Sequence, residues 1–405
     1  MNNELNYTPL KERKTHKLIT ALITLVILSL GFAIYKVTSN LTTSFNPSSP
    51  HFSTIKPTIR EIEIHTGSDI KPIAEERSAG SQYVFYPFDM YTSNGHYILH
   101  LRPSLGGRYT YEDSLIYDGK TVFSGTINRI IISSNGEHYA FTSVNKDQIN
   151  NLTKPTNLYV DGKFILKNQN TLRIYALSDN GQEYFYTVQI PGKPLEKWGT
   201  TITQLYKSQK LSQEFNYSDA GGNDLLGSFK ISPDGKFFSY ALYGKPYFNN
   251  RSFNPQQDIR QALVFSDNGQ HIMFTTFLQL YPEGNSEKLY IDNKYMFTGN
   301  IGEKDPEALI NNDGKFALTD SNGLGGGNVY LKSLPFKIEG EADSVEYNKE
   351  QTHILIGYPT NPKLLQSAYF LKWQLDGKDI TLPINSTYAT VELANNDIFV
   401  YNVLK

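Results

Sequence analysis

Few residues in this chain are spaced for chemistry, and the gaps exclude several reaction classes. There is no cysteine, which removes disulfides, thiolate metal sites, a cysteine nucleophile and a lipid-bearing cysteine together. No Gly-x-Ser-x-Gly stretch and no hydrolase-like βα segment occurs, so a serine acyl-transfer site has no framework. No His-Glu-x-x-His is present, and the eight histidines are scattered. His96 and His100 are the only close pair outside the N-terminal linker. Four apart on a strand they share a face and could supply two metal ligands, but no third ligand lies nearby in sequence. The stretches "SDAGGND" and "DSNGLGGGN" are rich in oxygen donors but lack the alternating carboxylate spacing of an EF-hand loop. Glycine for tight turning is their simpler explanation. The Asn-x-Ser/Thr sequons at Asn40, Asn151, Asn216, Asn250 and Asn385 are about as many as this composition gives by chance. Neither a metal nor a cofactor is expected.

What remains is binding chemistry. Arg108, Tyr109, Tyr111, Lys197, Trp198, Asp224 and Tyr281 sit in long polar stretches: "RPSLGGRYTYED", "QIPGKPLEKWGT", "NYSDAGGNDLLG" and "LQLYPEGNSEK". Aromatics beside arginine and lysine are anchors for a protein, peptide or glycan partner. In a chain with 28 Tyr and 23 Phe, such aromatics also serve simply to cap the ends of a hydrophobic core. Which role they play depends on the elements that hold them.

Those elements repeat. "ISPDGKFFSYAL" from Ile231 returns as "ISSNGEHYAFTS", "LSDNGQEYFYTV", "FSDNGQHIMFTT" and "INNDGKFALTDS". The turns fall at Gly95, Gly136, Gly181, Gly235, Gly269 and Gly314, with degenerate copies near Glu350 and Asn396. A mean spacing of about 43 residues is that of a four-stranded propeller blade. In Ser232-Pro233-Asp234-Gly235 the proline suits the second place of a type I turn, and the glycine takes the left-handed place after it. A second hairpin alternates with the first, at "LIYDGKTVF", "LYVDGKFIL", "LYIDNKYMF" and "LKWQLDGKDI". The less regular "QLYKSQKLSQEF" and "VYLKSLPFKI" keep the same phase. Between Gly235 and Gly269, "KPYFNNRSFN" must be a very short hairpin; without it the ring would have seven blades rather than eight.

The chain ends on a first hairpin, "TVELANNDIFVYNV", and after its linker begins with "REIEIHTGSDIKPI", which reads as a second hairpin lacking its first. The N-terminal strands are therefore expected to complete the C-terminal blade, which removes an open edge. Short turns should then lie on one side of the disc and long connections on the other, where function usually sits.

The unit "FSDNGQHIMF…KLYID" resembles the repeats of TolB-like, WD-repeat-like β-propellers over roughly residues 85 to 400. Ser232 to Gly235 is the only full Ser-Pro-Asp-Gly. The resemblance implies the fold and no binding residues, since such repeats serve scaffolds and peptidases alike. TolB itself is soluble and carries an extra N-terminal domain, unlike this chain. A sialidase Asp-box is not matched, because Asp and Gly are adjacent here.

Residues Leu18 to Tyr35 form an uncharged, mostly apolar run, about 27 Å long as a helix and enough to span a bilayer. Lys11, Arg13, Lys14 and Lys17 before it keep the N-terminus cytoplasmic. No small-x-small cleavage site follows, so the anchor is expected to be retained. The expected organisation is a basic cytoplasmic tail (1–17), a transmembrane anchor (18–36), a Ser/Thr/Pro-rich linker (37–58) and an all-β propeller (59–405). A net charge of -2 gives no basic field for nucleic acid. The expectation is a single-pass membrane protein whose extracytoplasmic propeller is a non-catalytic binding module for an envelope protein, peptide or polysaccharide. The alternative is a propeller enzyme acting on glycans or peptides, with carboxylates converging in its central channel; roughly 5 to 10 Å between two of them would suit glycoside hydrolysis.

Overall fold

The computed structural model describes residues 49–66, 73–76, 82–85, 88–101, 113–144, 155–191, 200–218, 226–242, 245–252, 264–280, 284–299, 301, 308–321, 326–340, 342–360, 371–386 and 388–404. The expected anchor and most of the linker lie outside these residues.

The chain opens with β1 (Thr58–His65), followed by a small hairpin of β2 (Ile73–Glu76) and β3 (Gln82–Phe85). Blade 1 is β4 (Phe88–Ser93), β5 (His96–Leu101), β6 (Ser114–Tyr117) and β7 (Lys120–Ser124). Blade 2 is β8 (Ile127–Ile132), β9 (Tyr139–Ser143), β10 (Asn157–Val160) and β11 (Lys163–Lys167). Blade 3 is β12 (Thr171–Leu177), β13 (Tyr184–Pro191), β14 (Thr200–Lys207) and β15 (Lys210–Ser218). Blade 4 is β16 (Leu226–Ile231), β17 (Phe238–Leu242), β18 (Lys245–Phe248) and β19 (Arg251–Ser252). Blade 5 is β20 (Val264–Phe265), β21 (Ile272–Leu280), β22 (Gly284–Ile291) and β23 (Lys294–Gly299). Blade 6 is β24 (Leu309–Ile310), β25 (Phe316–Ser321), β26 (Gly326–Leu331) and β27 (Leu334–Glu339). Blade 7 is β28 (Ser344–Tyr347), β29 (Ile354–Pro359), β30 (Leu371–Leu375) and β31 (Lys378–Ile380). Blade 8 joins β32 (Ala389–Ala394) and β33 (Asp397–Leu404) to β1.

This is an eight-bladed β-propeller. The short hairpin required between Gly235 and Gly269 exists as β18 and β19, with Tyr247 opposite Ser252 and Phe248 opposite Arg251. Seven second turns share one backbone form, with both central residues at positive φ: Asp118-Gly119, Asp161-Gly162, Ser208-Gln209, Asn249-Asn250, Asp292-Asn293, Lys332-Ser333 and Asp376-Gly377. Two such residues make a type I′ turn, whose twist matches that of the flanking strands. Gln209 holds φ at 70°, which costs a side chain with a Cβ about 1–2 kcal/mol. Gln209→Gly is expected to raise stability by about 0.5–1 kcal/mol, since the entropy that glycine adds to the unfolded chain offsets only about 0.4–1. A urea midpoint that falls instead would show that the contact of Gln209 Nε2 with the Tyr184 hydroxyl, 3.3 Å away, outweighs the strain.

The core is a set of apolar layers, one between each pair of neighbouring blades, because alternate residues of each second strand face opposite neighbours. Tyr97 and Leu99 pack with Ile64, Phe399 and Tyr401 on blade 8, whereas Ile98 packs with Ile130, Tyr139 and Phe141 on blade 2. Phe185 and Leu205 meet Phe238 and Tyr240 across the next-but-one boundary. The layer between blades 4 and 5 is thin, built on Phe274 with Phe248, Ile272 and Tyr290, as the short outer strands of blade 4 require.

Closure differs from the expectation in one respect. Residues from the N-terminus do complete the last blade, but as one strand rather than a hairpin. β1 runs parallel to β33, from Thr58 opposite Asp397 to His65 opposite Leu404, while β2 pairs with β3 instead. In the other blades a loop joins the second strand to the third and forces them antiparallel. β1 has no such link, so its direction follows from where the chain enters. Arg60 pairs with Asp397 at 2.9 Å, and Glu61 Oε1 accepts from Asn385 Nδ2 at 2.7 Å and Asn402 Nδ2 at 2.9 Å. The end of the expected linker also belongs to this unit: Phe52 packs edge-on against Phe336 at 5.5 Å, Ser53 N donates to Thr352 O, and Thr58 N to Asn396 O. Pro50 and Pro57 are buried.

Candidate functional site

The turn side of the disc is tied into a continuous structure. In the Ser-x-Asn/Asp-Gly turns the buried serine is the organiser, which the turn chemistry of proline and glycine alone did not reveal. Ser178 Oγ donates to Asn180 Oδ1 at 2.6 Å and accepts from Glu183 N at 3.0 Å. Ser133, Ser232 and Ser266 do the same with Asn135, Asp234 and Asn268. Asn311 and Asn348 replace the serine, accepting from Lys315 N and His353 N through their side-chain oxygens.

A second recurrent device joins the two turns of a blade. His96, His138, His271 and His353 hold equivalent places at the start of the second strand. Their Nδ1 atoms lie 2.7–2.9 Å from the outer oxygens of Asp118, Asp161, Asp292 and Asp376. The other oxygen of each aspartate accepts the next backbone N–H, as Asp118 Oδ1 does from Tyr97 N at 2.9 Å. Four of the eight histidines are thus structural, and their place one or two residues after the left-handed turn residue (Gly95, Gly136, Gly269, Gln351) was the sequence signal. His96 and His100 do not converge: four strand residues separate them by about 13 Å. Among the described residues no group of three His, Asp or Glu is arranged to hold a metal.

The opposite ends of the strands carry the long connections. These run over residues 102–113 between β5 and β6, 144–156 between β9 and β10, 192–199 between β13 and β14, and 360–370 between β29 and β30. Several stretches expected as loops are partly strand. β13 continues to Pro191 and β15 to Ser218, and β21 pairs with β22 out to Leu280 and Gly284. Pairing satisfies backbone groups regardless of side-chain polarity, so the polar composition there concealed the strands. Arg108, Tyr109, Tyr111, Lys197, Trp198, Asp224 and Tyr281 all lie outside the described residues.

At the root of the 102–113 connection a charged cluster is described. His100, at 2% exposure, places Nε2 3.3 Å from Asp113 Oδ2 and Nδ1 3.8 Å from Asp89 Oδ2. Asp113 Oδ2 also faces Ile127 N of blade 2 at 3.4 Å. The equivalent place is Thr142 in blade 2, Thr187 in blade 3 and Thr275 in blade 5, all buried. A histidine there, at the end of one strand and facing the first residue before the next, joins both ends of the connection that carries Arg108, Tyr109 and Tyr111. Its burial suits it to hold that root rather than to exchange protons with a substrate. The sequence carries the signal in "HYILHL" set against "HYAFTS", where Thr142 holds the place of His100.

No family model matches the sequence, and no curated protein matches it. Among solved structures, the β-propeller domain of the Trilobed protease from Pyrococcus furiosus is similar, at 16% identity and a TM-score of 0.41 over 72% of this chain and 95% of that one. Dipeptidyl peptidase 4 of Porphyromonas gingivalis is similar at 11% identity and 0.42, over 85% and 60%. A eukaryotic initiation factor is similar at 11% and 0.40, over 78% and 95%. The chain is a β-propeller by its own strands, and the TolB-like likeness of its repeats stays at the level of the fold.

Proposed function

We propose that this protein is a membrane-tethered, extracytoplasmic binding scaffold, retained by residues 18–36 and engaging an envelope protein, peptide or polysaccharide through its long-loop face. The observation that carries the reading is the inequality of the two faces. On one, successive turns are bonded to each other, as Asn135 Nδ2 to Asp179 O at 3.0 Å and Asn395 Nδ2 to Asn94 Oδ1 at 2.7 Å. On the other, long connections leave a rigid frame, and one is braced by Asp89, His100 and Asp113. A frame of this kind has little entropy of its own to lose when the connections it carries meet a partner.

Photo-crosslinking in native membranes tests this, with the probe at Trp198 and, separately, at Lys236 on the turn face. Discrete adducts from Trp198 alone are expected, whether with protein or glycan. Adducts from Lys236 alone, or from neither position, would overturn the loop-face scaffold.

A further inference from the structure

Exposed apolar side chains scattered singly are normal on any protein surface. Among the described residues they recur at one place in the blade. The large hydrophobics most exposed among the described residues are Ile55 (66%), Ile59 (42%), Phe164 (56%), Leu211 (54%), Tyr295 (55%) and Met296 (41%). All six lie at the turn-face rim. Phe164, Leu211 and Tyr295 are each the second residue of an outer strand, directly after the turns at Asp161-Gly162, Ser208-Gln209 and Asp292-Asn293. Ile59 is the second residue of β1, beside the turn at Asn395-Asn396. Ile55 lies between Ser53, bonded to Thr352 O, and Thr58, bonded to Asn396 O.

Lys163, Lys210, Lys294 and Lys56 are exposed cations directly beside Phe164, Leu211, Tyr295 and Ile55, and Arg60 beside Ile59 is exposed but paired with Asp397. Lys120, Arg251 and Lys378 repeat the cation at the same place in blades 1, 4 and 7. The aspartates of these turns are directed elsewhere, to the histidines of their own blades. Apolar side chains flanked by lysine and arginine suit one environment, the boundary between acyl chains and anionic headgroups. The parallel direction of β1 adds an independent observation. Because Ser53 is bonded to Thr352 O and Thr58 to Asn396 O, the chain leading into β1 runs along this same face.

We infer that the turn-face rim is a docking surface for an anionic phospholipid bilayer, with Phe164, Leu211, Tyr295, Met296, Ile55 and Ile59 entering the headgroup region and the neighbouring cations meeting lipid phosphates. The inference deepens the tethered-scaffold reading and rests on it for the side of the membrane concerned. It directs the loop face away from the bilayer, toward partners that are not embedded in it.

The native absence of cysteine permits single labels. Full-length F164C, L211C, K167C and S29C, each carrying an environment-sensitive fluorophore, would be reconstituted into phosphatidylglycerol-containing vesicles doped with spin-labelled lipid. Lys167 is exposed at the loop-face end of β11, and Ser29 lies in the apolar run. Strong quenching at 164 and 211 with little at 167 is expected, and its loss when phosphatidylcholine replaces phosphatidylglycerol. Quenching at 29 without quenching at the rim would overturn the docking and leave the anchor standing. Rim quenching without quenching at 29 would support the docking and refute the anchor. Equal quenching at 167, or rim labels shielded without spin-label quenching as a protein contact would do, would overturn the lipid surface.

Discussion

Gly136→Ala is expected to destabilise the propeller by several kcal/mol, although it adds one methyl group to a solvent-side turn. Gly136 has φ of 78°, and a Cβ in that conformation costs about 1–2 kcal/mol. The new atom would also stand 2.1 Å from the backbone oxygen of Ser93 and 2.8 Å from the His96 ring, both on blade 1. Backbone cannot rotate aside as a side chain can, so the blades must part, and overpacking of this kind costs about 1–3 kcal/mol more. Gly119→Ala separates the two causes. Its φ is 77°, but the nearest atom to a Cβ would be the Tyr97 hydroxyl at 3.5 Å, so only the backbone cost of about 1–2 kcal/mol applies. Urea midpoints should therefore fall far more for Gly136→Ala than for Gly119→Ala. Equal losses would show that blade contact at this turn contributes nothing. The same packing recurs around the ring, with Gly181 on His138, Gly235 on Glu183, Gly269 on Phe237 and Gly314 on His271 of the preceding blade.

The second large effect is expected where the ring closes. Glu392 of blade 8 accepts from Asn94 N at 2.6 Å and from the Tyr401 hydroxyl at 2.6 Å, and that hydroxyl accepts from Gly95 N at 3.0 Å. Glu392→Ala would leave Asn94 N and the Tyr401 hydroxyl without their acceptor in a largely desolvated place, at about 1–3 kcal/mol for each group. A loss of about 2–6 kcal/mol is expected. Glu392→Gln keeps only one of the two acceptor oxygens, because Asn94 N and the Tyr401 hydroxyl use different ones, and a smaller loss of about 1–2 kcal/mol is expected at neutral pH.

Burial raises the Glu392 carboxyl above its ordinary value of 4.5, and the bonds from Tyr401 and Asn94 only partly oppose this. The native state thus holds this proton more tightly than the unfolded chain does. The contribution of Glu392 to stability therefore improves as pH falls through the raised native value toward 4.5, and is flat below it. The stability advantage of the native protein over Glu392→Gln should therefore widen as pH falls through that window. A difference independent of pH would mean that the carboxylate is not desolvated by the closure.

Much of the frame was legible because turns are local. Positive φ at Gly95, Gly136, Gly181, Gly235, Gly269 and Gly314 is a demand that a few adjacent residues impose, so spacing set the blade phase, while the count of eight waited on the pairing of Tyr247 and Phe248 with Ser252 and Arg251. Even Ser208-Gln209 and Lys332-Ser333, with neither Asn nor Gly, fall in the right places because the strands around them alternate. The role of the glycines between blades was not legible, since Ser93 is 43 positions from Gly136 only in sequence and touching only in the fold.

The sequence by itself determined a cysteine-free propeller whose N-terminal residues close the ring, with eight blades if the stretch 245–254 pairs and seven if it does not, because periodicity and turn chemistry act within a blade. Only the tertiary structure decided that the short β18–β19 hairpin makes the count eight, that β1 closes the ring in parallel, that four histidines serve the turns while His100 lies between two carboxylates, and that the exposed large apolar residues among those described share one rim. Each of these depends on which strand ends are brought together across blades, and a local pattern carries no information about its distant neighbour.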